Sequence, residues 1–365
     1  MSVIIFIIIL AVLVLVHEIG HFLTAKNLGI RVDEFGIGFP PKLMSRKVGE
    51  TRYSLNLIPF GGFVRIFGEQ VTEDMKDSPD WSRSFPAKPR WAQAIVLSGG
   101  VAFNMLFAWL LFAVGFMVGF PTSASLEGGE RVAQPQTMIL EVVSNSPAEE
   151  AGLKSGDSIL SLSQGEMSLD AVNAPIEDIR AFINSAGTQT LNVTIERGET
   201  TQDVLLIPRE DVVPGRFAIG VSMDKIGILK LPWWSAIIEG AKSTFSLSAA
   251  VVIGLFQFFT DAFSGGADLS QVTGPVGIVS LVGDASTLGF VYLLGFTAFI
   301  SVHLAVINLV PFPALDGGRL LFVLIEALKG SPIKARIANT LNTIGFILLI
   351  MLMLFITYQD ILRLF

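Results

Sequence analysis

The chain has 365 residues, 51% of them hydrophobic and only 16% charged, with a net charge of −7. A soluble globular domain carries roughly 25% charged residues, so this composition excludes a disordered chain, a coiled coil and a nucleic-acid binder. It points to a membrane protein. There is no cysteine, which removes disulfides, thiolate nucleophiles and thiolate metal sites. Any metal must be held by carboxylates and the three histidines.

In chain order, Val3–Val16 is an unbroken apolar run, and its helical pattern continues to about Leu28. No Lys or Arg precedes the run and no small-residue cleavage site follows it. Residues 1–28 therefore read as a first membrane span rather than a signal peptide. Residues 31–68 hold RVDEFGIGF and TRYSLNLIPFGGFVRIFGE, two alternating stretches punctuated by Pro40-Pro41, Pro59 and Gly61-Gly62. They predict a hairpin whose free edge could hold an extended chain. Residues 91–120 are a second span, with no charge between Arg90 and Glu127.

Residues 126–222 have the composition of a soluble domain. The strand MILEVV (138–143) leads to Ser146-Pro147, which suits a helix start, and Gly152, which suits a helix end. A turn at Gly156-Asp157, the strand SILSL, a helix over 175–187 and strands over 190–198 and 201–209 follow. Residues 233–263 carry Glu239 and Lys242, then 18 uncharged residues rich in Ser, Thr and Phe, and read as an interfacial amphipathic helix. A third span over 285–310 lies in 31 residues without Asp, Glu, Lys or Arg, and a fourth covers 338–358. Each of the four is long enough for roughly 30 Å of hydrocarbon.

Charge sets the expected sidedness. Residues 25–90 hold 11 Lys+Arg against 8 Asp+Glu, and residues 311–337 hold 4 against 2. Residues 121–225 hold 7 against 16. Basic loops stay in the cytoplasm, which places the acidic domain and both termini outside.

His17-Glu18-Ile19-Gly20-His21 is an H-E-x-x-H pattern closing the first apolar run. On a helix, residues four apart share a face, so both imidazoles can reach one zinc with Glu18 beside its open position. Three polar side chains at the edge of a span are costly and are functional candidates by default. A catalytic zinc needs a third protein ligand: His303 or a carboxylate. Asp316 is the stronger candidate. It lies in NLVPFPALDGG (308–318), where Pro311 and Pro313 end regular helix and Gly317-Gly318 allow a close backbone approach.

Two resemblances follow from these motifs. SPAEEAGLKSGDSIL and its element order resemble a PDZ domain of the bacterial, circularly permuted kind, with RFAIGV (216–221) as its edge strand and carboxylate loop. H-E-x-x-H in the first span, N-x-x-P-x-P-x-L-D-G-G after the third, GGFVRIFGE (61–69) and VTGPVGIVS (272–280) resemble the site-2 protease family, in its regulator-of-sigma-E branch. Two departures stand out: there is room for one PDZ domain rather than a tandem pair, and Gly100-Val101-Ala102-Phe103-Asn104 lacks the proline of the second-span motif.

The resemblance implies a polytopic α-helical protein of the bacterial inner membrane. It would have about four spans, a cytoplasmic-side β-loop and an extracytoplasmic PDZ domain. It implies an intramembrane zinc endopeptidase in which His17, His21 and Asp316 hold Zn2+ near the cytoplasmic side and Glu18 is catalytic. Asn308, Gly61, Gly62, Phe63 and Asn104 would contact substrate. The expected partners are the lipid bilayer, single-span membrane proteins of the anti-sigma-factor type or remnant signal peptides, and peptide ends at the PDZ domain. Two alternatives are a non-catalytic PDZ scaffold, which has no need of Glu18, and a metal-handling protein, which would line a path with further ligands.

Overall fold

The structure is a computed structural model that describes residues 1–69, 78–125, 129–198, 200–213, 215–264 and 272–362. In chain order the elements are α1 (Ser2–Asn27), β1 (Val32–Val48), β2 (Thr51–Ile66), α2 (Arg90–Val118), β3 (Phe120–Ser123) and β4 (Ala133–Val142). Next come α3 (Pro147–Glu150), β5 (Ser158–Gln164), β6 (Met167–Asp170), α4 (Ile176–Ala186), β7 (Leu191–Arg197) and β8 (Thr200–Leu206). The remainder are β9 (Arg209–Val213), β10 (Arg216–Ala218), β11 (Val221–Leu229), α5 (Trp233–Ser264), α6 (Pro275–Leu288), α7 (Phe290–Leu309), α8 (Asp316–Lys329) and α9 (Ala335–Leu362). The chain divides into two compact units: Met1–Val114 with Trp234–Phe365, and Gly115–Trp233.

Among the described residues, five helices are long and apolar enough to cross a membrane: α1, α2, α5, α7 and α9. The sequence predicts four, with 233–263 at the interface. α5 qualifies on its length and mean hydropathy; within it Thr244 Oγ1 donates to the Gly240 carbonyl at 2.8 Å and Ser248 Oγ to the Thr244 carbonyl at 2.6 Å. Such back-bonding gives each hydroxyl proton an acceptor within its own helix. The predicted third span over 285–310 also starts later than expected. Gly289, at φ +118°, ends α6 and separates it from α7.

The hairpin is folded more tightly than its pattern predicts. Residues 32–37 pair with 62–66 on one side and with 52–55 on the other, while 42–48 pair with 51–56. The two strands thus make four rows, bent near Pro40-Pro41 and Pro59. The row 62–66 lies at the end, and among the described pairings its outer edge has no strand partner. The row is fixed to the bundle by a small core of Ala25, Ile30, Val32, Ile66 and Val96.

The second unit is a six-strand path, β3-β11-β4-β5-β7-β8, with β6 on β5 and a separate β9-β10 hairpin. Alternating residues of β5 and β7, and Ile176, Ile179 and Ile183 of α4, close one core. Ser146 caps α3 with Pro147 in its first turn, and Gly187 at φ +57° stops α4, as the sequence predicts. Residues 126–128 of the predicted 126–222 domain lie outside the described residues. The predicted edge strand 216–221 is instead divided: 216–218 pair with β9, and Val221 begins β11, whose far end pairs with β3.

Candidate metal centre

His17 and His21 lie on one face of α1, one turn apart, and both are buried. Their partner arrives from far along the chain. α7 ends at Leu309, the segment Val310–Leu315 turns without helix, and Asp316 opens α8. Asp316 Oδ2 stands 3.0 Å from His17 Nε2 and 3.1 Å from His21 Nε2, and the two Nε2 atoms are 3.1 Å apart. Around a tetrahedral zinc with bonds of 2.0–2.1 Å, ligand atoms lie roughly 3.3 Å apart. Two imidazoles and a carboxylate converging this closely fit one such ion, and they are a ligand cluster among the described residues. His303 stays away from it, its Nδ1 donating to the Phe299 carbonyl of its own helix at 2.9 Å.

The outer nitrogens of both histidines are held. His21 Nδ1–H donates to the Val96 carbonyl at 2.8 Å, leaving Nε2 its lone pair for a metal. Asn104, fully buried on α2, places its amide 3.3 Å from His17 Nδ1, and its Oδ1 has no partner. Amide oxygen and nitrogen are interchangeable in shape. With the amide turned over, Oδ1 would accept the His17 Nδ1 proton and leave His17 Nε2 its lone pair, with the amide nitrogen in the place of the unpartnered oxygen. Asn104 was expected to contact substrate. It sits instead behind His17 and is not part of the cavity wall.

Three glycines bring α1 and α2 close enough for this. A Cβ on Gly20 would strike the Gly99 carbonyl, and one on Gly99 would lie 2.6 Å from Thr24 Oγ1. A Cβ on Gly100 would lie 2.6 Å from both His17 Nε2 and His21 Nε2. From the sequence Gly100 reads only as a motif position affecting helix shape; its direct role in making room for the imidazoles needs the helix pairing. The turn before Asp316 is equally crowded. Cβ atoms on Gly317 and Gly318 would strike the carbonyls of Leu309, Val310 and Phe312. Ala314 is held at φ +80°, an unfavourable conformation for a residue with a Cβ, and its N–H donates to Asn342 Oδ1 of α9 at 3.3 Å.

The cluster opens into a cavity of about 210 Å³. Glu18, Asn308 and Phe63 line it, with Val64, Glu69 and Arg319. The Val64 backbone faces the Glu18 carboxylate across it. Gly61 and Gly62 do not line the cavity but press the hairpin onto α1: their Cβ positions would lie 3.0 Å from Val14 and 3.7 Å from the Glu18 side chain. Sequence reasoning missed Val96, Glu69, Arg319, Asn342 and Gly345. The signals available were the Gly99-Gly100 pair and the single arginine after Gly317-Gly318.

A bundle of apolar helices enclosing a His-His-Asp cluster, with a glutamate beside it, defines a membrane-embedded metallopeptidase. The family model Peptidase family M50 matches residues 5–352, and the chain belongs to that family. It is 36% identical over 352 residues to a provisionally named zinc metalloprotease of Clostridium perfringens, covering 96% of this chain and 95% of the relative. It is 35% identical over 364 residues to another such protein of Nostoc sp., covering 99% and 96%. To the regulator of sigma-W protease RasP of Bacillus subtilis it is 30% identical over 445 residues, covering 100% and 99%.

Proposed function

We propose that this chain is an intramembrane zinc endopeptidase of the site-2 protease type that cleaves single-span membrane proteins. The observation that carries this reading is the joining of His17, His21 and Asp316 beside Glu18, at the end of a membrane-length helix and facing an unpaired strand edge. His17, His21 and Asp316 would hold Zn2+. When bound, zinc lowers the pKa of its water to about 7 and polarises a carbonyl oxygen. Glu18 takes the water proton and hands it to the leaving nitrogen. Asn308, across the cavity, holds the substrate backbone. A helical substrate hides its carbonyls in its own hydrogen bonds, so it must unwind. The edge of row 62–66 replaces those bonds by strand addition, with Gly61-Gly62 and Phe63 positioning it beside Glu18.

The geometry supports four crossings, with α5 at the interface. α1 and α7 both run toward the metal cluster, and Ser2 packs on Gly283 just before α7 begins. They therefore cross in the same direction. Between α2 and α7 the number of crossings must then be even, and α6, at 14 residues or roughly 21 Å, is too short to return across the membrane by itself. The basic segments 25–90 and 311–337 then share the cytoplasmic side with the metal site. The Gly115–Trp233 unit and both termini face outward, at the inner membrane of a bacterium.

That outer unit acts as a PDZ domain. A groove of about 220 Å³ runs between Arg180 and Ile183 of α4 and residues 216–223, suited to a peptide end. We assign it the task of screening substrates, which would be anti-sigma-factor-type proteins already cut outside, or remnant signal peptides. The deciding experiment is cleavage of a panel of single-span substrates by the purified protein, with and without a chelator. Cleavage that survives full removal of zinc would overturn the reading.

A further inference from the structure

Two charged residues of the metal cavity have no part in the hydrolysis described above. Glu69 follows the row 62–66 by three residues. Arg319 lies one turn beyond Asp316 on α8. Both line the cavity, and they form an ion pair with each other. The pair therefore joins two walls that carry different functions: the strand edge, and the helix that begins with a metal ligand. A peptide added along the outer edge of row 62–66 would be led toward residue 69, into the part of the cavity that Glu69 and Arg319 line together. An exopeptidase could work against a closed end. An endopeptidase cannot, because its chain continues past the cut on both sides.

We propose that the Glu69–Arg319 pair is a latch across the substrate groove, closed at rest and parted by an incoming chain; this rests on the endopeptidase reading above. Both side chains keep about a quarter to a third of their surface exposed. Partly solvated pairs of this kind are held weakly and are screened by salt, so the contact suits a part that must open in each cycle. Gly68, at φ +81°, sits directly beside Glu69 and lets the chain turn there. Arg319 is rooted in α8, and parting the latch moves only its long side chain, leaving Asp316 in place.

The chain's lack of cysteine allows a test that does not depend on catalysis. A lone Val64→Cys in zinc-loaded protein reports access to the cavity through its rate of labelling by a water-soluble maleimide. Adding Arg319→Gln, or separately Glu69→Gln, should raise that rate at least threefold with zinc content unchanged. The charge swap Glu69→Arg with Arg319→Glu should return it to the starting value. In cleavage assays without the Val64 change, moderate salt should speed the native protein by screening the pair, and the single variants should show no such response. Unchanged labelling in both single variants overturns the latch, as does a rise that the swap fails to reverse. A native protein that labels as expected but cleaves no substrate would sink the endopeptidase reading instead.

Discussion

Glu18 and Asp316 are both carboxylates on the same cavity, and the roles proposed for them differ with what each one touches. Asp316 touches both imidazoles, whereas Glu18 lines the cavity beside Val64. Glu18→Gln should abolish proteolysis while zinc stays at about one per chain; loss of zinc by metal analysis would move Glu18 into the ligand set. Asp316→Ala should lose most of the zinc, since two imidazoles alone hold it weakly, and His303→Ala should keep it. The reverse pattern would make His303 the ligand. Gly100→Ala inserts a methyl group 2.6 Å from His17 Nε2 and His21 Nε2, the proposed ligand atoms. It should weaken zinc about 10–100-fold, as loss of an outer support does, which a competition titration would read.

At the scale of elements, α9 buttresses the turn that leads into Asp316. Asn342 accepts from the Ala314 N–H, and a Cβ on Gly345 would strike the Pro313 carbonyl. Gly345→Leu therefore pushes on the turn that aims Asp316. Overpacking costs roughly 1–3 kcal/mol, and activity should fall at least tenfold with weaker zinc binding. Gly254→Leu in α5, where a Cβ meets nothing within 4 Å, is the control and should change neither. Equal effects from the two would show that any added bulk in an apolar helix is harmful and that α9 has no special place.

For the whole molecule, the proposed ligands and Glu18 all belong to the first unit, and among the described residues the second unit contributes none of them. Replacing residues 126–222 by a short flexible linker keeps the β3 pairing with Ile226–Leu229 as a stem. The shortened protein should hold zinc and cleave short, pre-trimmed substrates, and it should begin to cleave full-length ones. Loss of cleavage of short substrates by a folded, zinc-loaded protein would make the unit a required docking site rather than a filter.

What the sequence determined by itself was whatever depends on local spacing. The apolar runs had to be helices, because apolar length and the absence of charge are local properties. His17, Glu18 and His21 had to share a turn of α1, because 3.6 residues per turn fixes that. Pro311 and Pro313 had to end α7. The alternation in 31–68 predicted strands, but it could not show residues 32–37 in the middle of four rows, since a strand's two edges look alike in sequence. Only the tertiary structure joined Asp316 to histidines almost 300 positions earlier. It alone turned Asn104 onto His17 and set Glu69 against Arg319. Those contacts depend on how closely the helices pack, and that closeness is decided by glycines whose partners lie in other segments of the chain.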